Sequence, residues 1–190
     1  MASNALTITL EDLLVDVRDL DLAHSRLRTG RRGRQYALAA LNRSMVLMCV
    51  SAWESYVEEL VRESLTAMRP AGPPLGVWPV LNASARSQLG RFHTPGSDQV
   101  RVLNSDAIGL ADVHFSWSWT NCSPDQVAVC LSDVLDLRHR IAHGVHPRPI
   151  VQNQYSRQLP GFFRRLARCT DDAVRGYLVN VLGIADPWPV

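Results

Sequence analysis

Arg138 and His143 stand five positions apart in the segment Arg138-His139-Arg140-Ile141-Ala142-His143-Gly144, at the end of an otherwise apolar stretch. An imidazole titrates near neutrality and takes or gives a proton. A guanidinium keeps its charge at any working pH and forks onto phosphate oxygens. With no nucleophilic side chain beside them, these are the residue types of ribonuclease chemistry without a metal. His139, four residues before His143, shares a helix face with it and offers a second proton-transfer group. Two His at that spacing are also a metal-ligand pair. The segment lacks the intervening Glu of a His-Glu-x-x-His arrangement, however, and a third ligand from His146 or Asp136 would need an unusual turn, so neither a metal nor a cofactor is expected.

These residues need a helix with defined ends. Ser123-Pro124-Asp125-Gln126 supplies an N-cap, a proline at the first position and a Gln three residues after the cap. Gly144 closes the helix, with Pro147 just beyond. Val127, Leu131, Val134, Ile141 and Val145 recur at spacings of four and three, a core-facing stripe into which Arg138 also falls. A guanidinium among aliphatic side chains is costly unless paired. On another helix Leu47, Val50, Val57 and Val61 form a similar stripe, interrupted by Glu54. Glu54 and Arg138 are therefore expected to meet inside the bundle or at its opening, where the carboxylate orients the guanidinium toward a phosphate or a second subunit. A structural ion pair that fixes helix register is the alternative. Residues five apart lie about 140° around a helix axis, so Arg138 and His143 converge only through a distorted last turn or a second protomer.

Arg138, four intervening residues and His143 fit the Arg-(four to six residues)-His motif of the HEPN superfamily, and the polar His139 directly after the Arg fits as well. Ser51-Ala52-Trp53-Glu54-Ser55-Tyr56 and Phe92-His93-Thr94-Pro95-Gly96-Ser97, with the stretch from Asp136 to Gly144, together resemble the RiboL-PSP-HEPN group of bacterial proteins, a likeness running from about Leu38 to Gly183. The resemblance implies a metal-independent endoribonuclease. Two protomers would bring their motifs into one composite site that cleaves RNA through its own 2′-hydroxyl. Arg138 would hold the scissile phosphate, His143 would act as acid or base and His139 would assist. It also implies a homodimer, a toxin or phage-defence role, and an antitoxin or other regulatory protein as partner. The alternative is a HEPN-like bundle that no longer cleaves and serves as an RNA-binding or protein-docking module.

Composition agrees with a single helical domain: 190 residues, 46% hydrophobic, 7% aromatic. A formal charge of +2 does not by itself argue for nucleic acid. All 20 basic residues are Arg, a bias that weakens the case for any one of them as a phosphate ligand. Arg140, and Arg31, Arg32 and Arg34 in a Gly-flanked basic loop, are nevertheless candidates for gripping an RNA backbone. Cys49, Cys122, Cys130 and Cys169 show no Cys-x-x-Cys spacing and read as ordinary thiols. The longest apolar run, Met45 to Val50, is too short to span a bilayer, and a soluble cytoplasmic protein without membrane partners is expected.

Along the chain, Thr9-Leu10-Glu11-Asp12 resembles a capping box opening a helix to about Leu27. A second helix runs from about Gln35 to Met68 and stops before Pro70. Between Leu75 and Cys122 the periodicity weakens, leaving an irregular insertion with a short helix from Ser97 to Ser105, capped by Ser97 and Asp98. There Phe115-Ser116-Trp117-Ser118-Trp119 alternates like an extended segment packed on the bundle. A last helix spans about Pro160 to Leu182. The expected architecture is all-α: one domain, 1–190, built as an up-and-down bundle of four main helices with the insertion after the second.

Overall fold

The computed structural model describes residues 1–29, 35–70, 76–146 and 149–188. It is all-α, with six α-helices and no strand among the described residues beyond an isolated bridge between Trp119 and Cys122. The axis of the bundle is α2, Tyr36–Ala67, whose 32 residues reach about 48 Å at 1.5 Å each. Around it pack α1 (Leu10–Leu27), α4 (Ser97–Ile108), α5 (Pro124–Ala142) and α6 (Asn153–Asn180); α3 (Trp78–Leu89) leans on α4. Because neighbours surround it, α2 buries far more than one stripe, including Met45, Val46, Cys49, Val50, Trp53, Tyr56, Val57, Leu60 and Val61.

An aromatic cluster fixes how these helices sit. Trp53 stacks against Tyr56 at 5.4 Å and Phe163 at 6.2 Å and meets Trp117 edge-on at 6.2 Å. All four are fully buried. Rings of this size each remove about 150–250 Å² from water, on the order of 4–6 kcal/mol apiece before entropy. Their polar ends are met: Tyr56 Oη donates to the Ala167 carbonyl at 2.7 Å and Trp117 Nε1 to Thr170 Oγ1 at 2.9 Å. Trp117 therefore packs on the bundle as expected, but the backbone before it is a 3-10 turn, Val113–Ser116, and not an extended segment.

The helix ends show where local reading succeeds. At α5 the capping box forms: Ser123 Oγ accepts from Gln126 N–H at 3.3 Å, and Gln126 Oε1 accepts from Ser123 N–H at 2.8 Å. At the other end Gly144 turns left-handed (φ 63°), its N–H reaching the Ile141 carbonyl at 3.3 Å while Val145 N–H reaches Arg140 at 3.2 Å. This Schellman closure stops α5 at Ala142, with His143 as its cap. Val145 is consequently exposed and does not extend the buried stripe.

Elsewhere tertiary partners override the local signals. Thr9 does not cap α1; it is itself helical (φ −59°, ψ −49°) and continues a π-helical turn at Ala5–Thr9. The opening N–H groups are satisfied from afar. Ser3 Oγ accepts from Leu6 at 3.1 Å, and the Glu63 carboxylate accepts from Asn4 and Ala5 at 3.0 and 2.6 Å. The Ser3 hydroxyl and N–H donate in turn to buried Asp171. Similarly, α6 starts at Asn153 and carries Pro160 inside it, because Ser156 and Leu159 upstream are buried and hold the first turns against the core. The insertion is more regular than its periodicity indicates: α4 starts behind Gly96, with no side-chain cap from Ser97 or Asp98, and α3 precedes it.

Candidate active site

Arg138 on α5 and Glu54 on α2 are both half-buried, on helices that pack against each other. Burial pushes the Glu54 carboxyl above its ordinary value; the Arg138 guanidinium opposes that shift, neighbouring Glu58 adds to it and His93 opposes it. The two side chains do not close into a salt bridge. The expected ion pair therefore does not form; the two charges stay within electrostatic reach, and the guanidinium is left with donors to spare for a ligand.

His139 and His143 come together as their spacing requires, ring centroids 4.3 Å apart and tilted by 43°, both exposed at the tip of α5. The last turn is regular up to that point, His143 N–H bonding the His139 carbonyl at 3.0 Å. A regular turn leaves the imidazoles pointing well away from Arg138 within one protomer. Arg140 is exposed on a further side, where it borders a cavity of about 190 Å³ with Arg43 and Pro149. Arg31, Arg32 and Arg34 lie outside the described residues. Among the described residues no group of three or more His, Cys, Asp or Glu is placed to hold a metal. The four thiols are free, and burial pushes that of Cys49 up to about 12.

His93 has no assigned role in the sequence reading, yet it joins the electrostatic neighbourhood of Glu54. Its loop is held firmly. Trp53, adjacent to Glu54 on α2, donates its indole N–H to the Pro95 carbonyl at 2.8 Å. Gly96 N–H bonds the Thr94 carbonyl at 2.7 Å, and Thr94 adopts a left-handed φ of 60°. A β-branched residue there is strained by on the order of 1–3 kcal/mol, a cost that recurs at functional loops. The usable signal was the Thr94-Pro95-Gly96 turn immediately before a helix, since ordered loops on a rigid scaffold often carry functional groups.

No family model, curated protein or solved structure matches the chain, so the likeness to HEPN proteins rests on the residues quoted above. Among the described residues no helix is long and apolar enough to cross a membrane.

Proposed function

We propose that this chain is a metal-independent endoribonuclease of the HEPN type, working as a homodimer. One observation carries the reading: Arg138 is held half-buried opposite Glu54 without being neutralised by contact, on the same helix that presents His139 and His143 as an exposed imidazole pair. In the proposed reaction one imidazole takes the proton of a ribose 2′-hydroxyl, whose oxygen attacks the adjacent phosphorus. The bond from phosphorus to the 5′-oxygen breaks, and a second imidazole protonates that leaving oxygen. Arg138 holds the non-bridging oxygens as their charge builds, and Glu54 balances the guanidinium from across the gap. The products are a 2′,3′-cyclic phosphate and a 5′-hydroxyl. Because α5 points Arg138 and His143 in different directions, a second protomer would supply the missing imidazole. A toxin or phage-defence role, with an antitoxin or other regulatory protein as partner, follows from the same resemblance.

The separation of Arg138 from His143 within one protomer also favours a second reading, a HEPN-like module that binds RNA or a protein without cutting. Cleavage of a mixed tRNA and mRNA pool in EDTA separates the two. Wild type should leave 2′,3′-cyclic phosphate ends, and Arg138→Ala and His143→Ala should each lose about 10²-fold or more in rate with helicity intact. Wild-type rates in either variant would remove that residue from the site, and no cleavage by the wild-type dimer would favour the binding module.

A further inference from the structure

A groove of about 910 Å³ runs between the C-terminal half of α2 and α3. Its α2 wall continues the face that bears Glu54: Glu58, Arg62 and Thr66 follow at helical spacing and line it in turn, with Arg69 just past the end of the helix. From Glu54 to Thr66 this face of α2 rises about 18 Å, enough for a few nucleotides of extended strand. On the far wall stand Trp78 and Arg86 from α3, and His93, which also acts on Glu54 electrostatically, lines the groove as well. The groove therefore leads into the candidate site.

Its charge is unbalanced. Arg62, Arg69 and Arg86 line it against a single carboxylate, Glu58. Arg62 is committed to Glu58 at 2.6 Å and Glu59 at 3.2 Å. Arg69 and Arg86 are exposed and pair with no acid among the described residues. Trp78 is half-buried beside them and offers the groove a flat apolar ring. Free guanidinium groups that track a backbone, with an aromatic ring on which a base stacks, are the physical requirements of a single-strand site. A folded duplex or an acidic peptide would use the cations but not the ring.

We infer that this groove binds single-stranded RNA, with Arg69 and Arg86 on its phosphates and Trp78 on a base, and delivers the strand past His93 to Arg138. The substrate direction rests on the ribonuclease reading; the binding itself does not. Anisotropy of a fluorescent polyuridine of about 12 nucleotides tests it, with wild type and the Arg69→Gln/Arg86→Gln double variant titrated at several salt concentrations. Neither arginine has an ion pair to lose, so melting temperature and helicity should stay at wild-type values. The double variant should bind about tenfold or more weakly, with a salt slope shallower by about 1.4, the two phosphate contacts removed. Trp78→Leu should weaken binding while leaving the slope unchanged. Equal affinity and slope in wild type and double variant overturn the groove, as does polyglutamate competing as well as RNA. A protein that never cleaves yet loses binding in the double variant keeps the groove and loses the proposed activity. One that cleaves but binds equally in both forms keeps the activity and loses the groove.

Discussion

Glu54 and Glu63 lie nine residues apart on α2, on opposite faces, both half-buried and both pushed upward by burial. What compensates each differs. Glu63 spends its oxygens on the Asn4 and Ala5 N–H groups, completing a network that continues through Ser3 to Asp171. Glu54 forms no such bonds and is offset only by the charges of Arg138 and His93 across a gap. A carboxylate whose oxygens are occupied by backbone donors holds a chain end in place. One balanced at a distance leaves both itself and its cation available. Half-burial and a raised pKa are common to both, so neither alone distinguishes structure from site.

The largest effect that tests this contrast is on stability. Asp171→Ala leaves the buried Ser3 N–H and hydroxyl without an acceptor and should cost about 3 kcal/mol, lowering the melting temperature by about 6–12 °C. Cleavage per folded molecule should be unaffected; a variant that melts normally but cleaves poorly would erase the distinction between the two ends. Next comes coupling across the gap. On the proposed ribonuclease reading, Glu54→Gln should slow cleavage about tenfold, Arg138→Gln about 10²-fold, and the pair no more than Arg138→Gln alone, a coupling of about 1–2 kcal/mol. Additive losses would show that the two side chains act independently.

The smallest effect is a pH dependence. Because the folded-state pKa of Glu54 is raised, its favourable contribution is complete below the ordinary glutamate value of 4.5 and is lost as pH rises through the higher folded value. Glu54→Gln should therefore melt above wild type at pH 7, with the gain vanishing below pH 4.5. Thermal scans at the two pH values decide it; a variant less stable than wild type at pH 7 would mean that the ionised Glu54 holds the fold together.

The helix carrying the site was legible because its determinants are local: Ser123 and Gln126 cap one end, and Gly144 closes the other. That Glu54 and Arg138 lie within electrostatic reach was foreseeable, as two charges interrupting two apolar stripes; the gap between them was not. The start of α1 was not, since Glu63 and Asp171 satisfy it from distant parts of the chain. Nor was α3, whose Val77, Val80 and Leu81 face solvent and supply no core-facing periodicity. His93 was quoted only as part of a resembling segment and given no role, for the same reason as the α1 cap: its meaning comes from neighbours on other elements.

The bond from the Trp53 indole to Pro95 bears on how any ligand would be met. It anchors the His93 loop to a fully buried ring of the aromatic cluster, so the entropy of ordering that loop is lost during folding and not at encounter. Recognition at this end of the bundle should then proceed as a lock does: its rate is set by approach and charge, and the loop's backbone is the same before and after.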